Sequence, residues 1–174
     1  WARRFAHESL LLAEIFRKNP QGRMEAIWGR VYYHVAKQFK RRQLWILSDR
    51  IMKADDNGEA LFIYLMKNRP SRTRVVFAIS RKSKDFQRIA RIGSCIDAMS
   101  FRHKMLHLLC DVNMSAQAEG VTVNPLLKQN EEFRDLLSHQ HYIFLQHGVT
   151  ENDLSGWLNR YNKNISGFVA AAYP

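Results

Sequence analysis

Residues 43–80 read QLWILSDRIMKADDNGEALFIYLMKNRPSRTRVVFAIS, and the order of patterns in this stretch decides the fold. A short apolar run at 44–47 gives way to a polar turn, then to a helical stretch at 59–67, then to a second apolar run at 75–80. Short apolar runs separated by helical segments are the rhythm of a parallel sheet with crossover helices. The rhythm continues outward. Further strands are predicted at 94–98, 111–115, 142–146 and 168–172, and further helices at 85–91, 102–109, 125–137 and 154–160. The expectation is an α/β domain over 43–174 with an open parallel sheet. Sheets of this kind bind ligands beyond the carboxyl ends of their strands, so chemistry is sought in the loop after each run.

Upstream, residues 1–42 read as helical and basic. Phe5, Leu11, Leu12, Ile15 and Phe16 share a face before the break at Asn19-Pro20-Gln21-Gly22. A second helix over about 23–40 carries Ile27, Trp28, Val31, Tyr32 and Val35 on one side and ends in the cluster Lys37, Lys40, Arg41 and Arg42. This segment reads as an appendage to the sheet domain. Its apolar face and basic end suit an anionic membrane surface, and equally suit packing on the domain with the charges solvated.

The chain has 174 residues, of which 46% are hydrophobic and 25% charged, values that exclude a disordered or disulfide-scaffold class. Its 27 basic and 16 acidic residues give a net charge of +11, which points to an anionic partner. Eleven of the basic residues but only four of the acidic ones lie in residues 1–50, so the positive field sits mainly at the front. Mixed basic and aromatic residues at 28–45 raise a nucleic-acid-binding module as an alternative. No finger, helix-turn-helix, RRM or KH signature accompanies them, and no nucleic-acid partner is expected. Cys95 and Cys110 are the only cysteines and have no zinc spacing; His103 and His107 lie four apart without the HExxH arrangement. No metal or cofactor is expected. No apolar stretch approaches the roughly 18 residues needed to cross a bilayer.

Three loops hold candidate chemistry. After the first strand, Ser48-Asp49-Arg50 followed by Asp55-Asp56-Asn57-Gly58-Glu59 stands where a dinucleotide fold would place bare amides and glycines against a pyrophosphate. Carboxylates there repel phosphate and, with the Asn57 amide, suit the hydroxyls of a polyol. Asp55, Asp56 or Asn57 could equally cap the following helix. After the run at 142–145 comes Gln146-His147-Gly148-Val149-Thr150, which puts a histidine at a strand end where a substrate can approach. It fits a general base, or a structural histidine bonding a loop carbonyl. Asp153 reads as a helix N-cap with Leu154, Trp157 and Leu158 on one packed face, and Asp111 could orient a catalytic group or cap a turn.

Three segments carry a resemblance: 56–62 (DNGEALF), 111–117 (DVNMSAQ) and, above all, 144–150 (FLQHGVT) leading into 153–159 (DLSGWLN). Together they resemble the CDP-glycerol glycerophosphotransferase family, the teichoic-acid and capsule polymerases, over roughly residues 44–174. The resemblance implies a GT-B architecture of two Rossmann-like halves, of which this chain would be the N-terminal, acceptor-side half. It implies transfer of glycerol phosphate, or a related polyol phosphate, from a CDP-linked donor to a growing polymer. The histidine of the family's His-Gly motif maps onto His147 as base. Asp55, Asp56, Asn57, Glu59, Asp111, Gln146, Gly148 and Thr150 then fall on the side of a polyol-phosphate or glycan acceptor. The family's place at the cytoplasmic face of the cell membrane fits Lys37, Lys40, Arg41 and Arg42. The better-known polymerases have Trp-His-Gly-Thr-Pro where this chain has Gln146-His147-Gly148-Val149-Thr150, and the half that binds the CDP donor is expected beyond Pro174. A GT-B glycosyltransferase using a nucleotide sugar would share this half and is the alternative within enzymes.

Overall fold

The computed structural model describes residues 2–18, 23–118, 120–146, 156, 158 and 164–170. In chain order these form α1 (Ala2–Lys18), α2 (Arg23–Phe39), β1 (Gln43–Ser48), α3 (Asn57–Asn68), β2 (Thr73–Ile79), α4 (Phe86–Ile92) and β3 (Cys95–Asp97). There follow α5 (Phe101–Leu108), β4 (Val112–Ser115), the short α6 (Gly120–Val123), a 3-10 turn (Leu127–Gln129), α7 (Asn130–Leu137), β5 (His141–Leu145) and β6 (Ile165–Val169). The strands make one sheet in the order β3-β2-β1-β4-β5-β6, and every neighbouring pair is parallel. This is the doubly wound, Rossmann-like order, in which the chain reverses direction across the sheet between β1 and β4.

A parallel sheet is covered on both faces, so its central strands need continuous apolar sequence. Residues 75–79 of β2 are accordingly all buried. On one face Leu47, Val75, Phe77 and Ile79 pack with Phe62 and Leu65 of α3 and Ile89 of α4. On the other, Leu44, Ile46, Val76, Ala78 and Ile96 pack with Ala26 and Tyr33 of α2, Met105 and Leu108 of α5, and Phe133 of α7.

That second face corrects the reading of residues 1–42 as an appendage. α2 is seated in the core layer: a Cβ on Gly29 would lie 2.7 Å from the Phe133 ring, so only glycine lets the helix come this close. Beside it Arg30, only 1% exposed, ties three helices together. Its guanidinium donates to both carboxylate oxygens of Glu8 (2.7 and 2.8 Å), to both of Asp135 (2.9 and 2.7 Å) and to the Glu132 carbonyl (2.8 Å). A buried guanidinium without these partners would be strongly destabilising.

Two other expectations shift. β6 begins three residues before the apolar run at 168–172, because an edge strand with Phe168 and Val169 half exposed tolerates Ser166 and Gly167 where a central strand would not. The helix expected over 125–137 is broken into the 3-10 turn and α7, downstream of Pro125. The helix expected at 154–160 lies outside the described residues apart from Gly156 and Leu158; Leu158 packs against the cluster of Tyr142, Phe144 and Ile165.

Candidate functional site at the carboxyl ends of the strands

The crevice where the strand order reverses lies beyond Ser48 of β1 and Ser115 of β4, which are register partners. The helix that starts beside it, α3, points its amino end at the place where a nucleotide phosphate sits in such folds. Here that seat is already filled. Asp49, fully buried directly after β1, accepts hydrogen bonds from the backbone amides of Gly58 (2.8 Å), Glu59 (3.1 Å) and Asp56 (3.2 Å). Gly58 makes the close approach possible, since a Cβ there would lie 2.3 Å from Asp49 Oδ1 and 2.6 Å from the Ser48 carbonyl. Burial pushes the Asp49 carboxyl up to about 6, against the pull of the three amides. Above that range the seat holds a negative charge, which together with the missing space keeps a phosphate out.

The loop residues singled out in the sequence divide. Asp56 is the N-cap of α3 and accepts from the Asn57 amide (2.8 Å). The Asn57 side chain donates to the Gln146 carbonyl (2.6 Å), joining the start of α3 to the end of β5. Asp49, Asp56, Asn57 and Gln146 are therefore brought together. Glu59 is buried and ion-paired with Arg88, which also donates to the Ala54 carbonyl (2.6 Å) and to Asp85 (3.1 Å). Asp55 pairs with Lys53. Both carboxylates thus have local cationic partners.

Asp111 is not brought to this site. It lies at the amino end of β4, where its carboxylate accepts from the Leu44 amide (2.7 Å) and from Lys40 (2.6 Å). Lys40 also donates to the Leu109 carbonyl (2.8 Å), so this lysine is occupied within the domain. Lys37 lies over the Tyr33 ring and donates to its hydroxyl (2.5 Å), while Arg41 and Arg42 are exposed. His147, Gly148 and Thr150 lie outside the described residues.

Three features of the site escaped the sequence reading. Asp49 was visible only as part of Ser48-Asp49-Arg50, and nothing in its spacing says that it reaches α3. Ser48 Oγ and Gln117 Nε2 are buried and have no hydrogen-bond partner among the described residues, although each stands at or just beyond the carboxyl end of a switch-point strand. Buried polar groups are normally satisfied, so these two, like both nitrogens of the core residue His107, have bonding capacity left over. The His103 and His107 pair belongs to the core. His103 Nδ1 accepts from the Met99 amide (3.1 Å), and burial holds both rings neutral, pushing His107 down to about 3. Among the described residues no three of His, Cys, Asp and Glu gather as a metal site, and no helix is long and apolar enough to cross a membrane.

Strand order and site together define a Rossmann-like α/β domain whose phosphate seat is closed by its own carboxylate. Over 158 residues, 91% of its length, the chain is 41% identical to the minor teichoic acid biosynthesis protein GgaB of Bacillus subtilis (strain 168). The chain spans 17% of that relative's length. No family model matches it.

Proposed function

We propose that this chain is the acceptor-side half of a GT-B transferase of teichoic acid synthesis, moving glycerol phosphate or a related polyol phosphate from a CDP-linked donor to a growing polymer. The observation that carries the reading is Asp49 in the phosphate seat of α3. A half-domain closed to phosphate at its switch point, with uncharged hydrogen-bonding groups at Ser48, Asn57 and Gln117, suits the hydroxyls of an acceptor better than a nucleotide. His147 follows Gln146 directly in sequence and serves as the general base that takes the proton of the attacking hydroxyl. The donor is held chiefly by another part of the enzyme. Titration calorimetry on the 174-residue chain is expected to show no CDP-glycerol binding at micromolar concentrations. Micromolar affinity would place the donor site here and overturn the division of labour.

The same enzyme works, on this reading, at the cytoplasmic membrane surface. α2 buries Ala26, Gly29, Arg30 and Tyr33 and leaves Met24, Trp28, Val31, Val35 and Phe39 exposed, a stripe at helical spacing that ends next to Arg41 and Arg42. Trp28 is 58% and Phe39 77% exposed. An apolar stripe with cationic residues at its end suits an interfacial helix on anionic lipid. Sedimentation with phosphatidylglycerol vesicles should show binding that weakens with salt and with Trp28→Ser combined with Phe39→Ser. Equal recovery in the supernatant with and without vesicles would refute the membrane role.

A further inference from the structure

Two acid-free stretches of the chain meet at the amino end of the sheet. Residues 26–48 contain five basic and no acidic side chains, and residues 60–74 contain four basic and no acidic ones. They are joined where the Gln43 amide donates to the Arg72 carbonyl (2.9 Å) and Gln43 pairs with Thr73. Between them lies a cavity of about 510 Å³ lined by Arg42, Arg69 and Arg72 together with the apolar Met66, Val75 and Ile92. Among the described residues no carboxylate lines it. Among the described residues the side chains of these three arginines make no ion pair.

The backbone adds an independent observation. Arg69 and Arg72 both hold left-handed conformations, with φ of 41° and 55°, in the single loop between α3 and β2. Arg69 closes α3 there, its amide donating to the Leu65 carbonyl (2.8 Å). A left-handed residue after a helix is ordinarily glycine or asparagine, since a Cβ is disfavoured in that conformation. Two arginines at such positions, both lining one cavity with no counter-charge among the described residues, are better explained by what the guanidinium groups bind than by the loop's own stability.

We propose that this cavity is a binding site for an organic phosphate, an ester or diester whose phosphate is gripped by Arg42, Arg69 and Arg72 and whose carbon part rests on Met66, Val75 and Ile92. Guanidinium groups match phosphate oxygens with paired, charge-assisted hydrogen bonds. The site lies at the opposite end of the sheet from the acceptor crevice and does not depend on the function proposed above. The phosphate could come from a soluble polyol phosphate or from a lipid headgroup, and the test separates the two. Calorimetric titration at low ionic strength uses glycerol phosphate in one arm and phosphatidylglycerol vesicles in the other, on the wild-type chain and on the combined variant Arg69→Gly, Arg72→Gly. Glycine relieves the left-handed backbone, so the melting temperature of the variant should be unchanged or higher. Glycerol phosphate binding should weaken at least about tenfold in the variant, the scale of losing charge-assisted hydrogen bonds. Arginine-dependent binding of the vesicles alone would uphold the site and assign it to a lipid headgroup. Binding of both probes that is absent, or identical in the two proteins, would overturn it.

Discussion

Around the start of α3, at the carboxyl end of the sheet, Arg88 is held by Glu59 and Asp85, Lys53 by Asp55, and the helix amides by Asp49. At the amino end of the sheet Arg42, Arg69 and Arg72 surround a cavity without one carboxylate. In most doubly wound domains the phosphate-binding character belongs to the carboxyl end, where strands stop and helices begin. This chain has filled the seat at the start of α3 with its own carboxylate and gathers three arginines at the other end of the sheet. The contrast teaches that a fold's customary anion site is only a geometric opportunity. One buried aspartate nine residues before a glycine is enough to cancel it.

The largest expected effect tests whether His147 carries the proposed base chemistry. On the proposed reading, His147→Ala in an active protein that contains this domain should lower turnover by roughly two to four orders of magnitude, the usual span for losing an acid–base group. The melting temperature should stay near the wild-type value. Near-normal turnover in a folded variant would overturn the assignment of the base to His147.

A second test concerns the charge in the seat itself. Burial raises the Asp49 carboxyl from its ordinary 3.8 to about 6, so the folded state binds this proton more tightly than the unfolded chain. Its linkage contribution is therefore full below pH about 4, falls as pH rises through about 6, and is flat above. The size is on the order of 3 kcal/mol, from a shift of this extent. Asp49→Asn removes the titration. Urea denaturation of both proteins between pH 4 and 7 should give a stability difference that moves against the wild type by about that amount as pH rises. A flat difference would mean that three amides and the helix dipole outweigh burial, with the seat fully charged throughout.

Much of this was legible in the sequence, and the exceptions have physical causes. Central strands must be apolar on both faces, which is why β1 and β2 stand out in residues 43–80 and why five of the six strands fall where expected. β6 does not, because an edge strand is under weaker demands. Asp56, Asn57 and Gln146 were legible as loop residues at strand ends, since that placement follows from topology alone. The seating of Asp49 on α3 was not, because a hydrogen bond between residues nine or ten apart depends on the angle at which the chain turns. The inward face of α2 was misread for a related reason. Ala26, Gly29 and Arg30 attract no attention on a hydrophobicity scale, yet they fit closely against Phe133 and Asp135, while the conspicuous Trp28 and Val35 face out.

The smallest expected effect sharpens the contrast most cheaply, because it concerns a residue that the resemblance assigns to the acceptor side and the structure places at the amino end of the sheet. Asp111 accepts from Lys40 and from the Leu44 amide at the amino end of β4, where both charged side chains are partly exposed. An ion pair of that exposure contributes modestly, so Asp111→Asn should cost about 1 kcal/mol in urea denaturation while the side-chain oxygen keeps the bond from Leu44. Its position a full strand length from the switch point makes a further claim: turnover of the full-length enzyme, and its KM for the acceptor, should change by less than about twofold. A tenfold rise in KM with the folded state intact would return Asp111 to the acceptor site. The strand ends would then not divide the labour as Asp49 and the arginines indicate. Unchanged kinetics with a measurable loss of stability would leave Asp111 as the clasp that ties the end of α2 to β1 and β4.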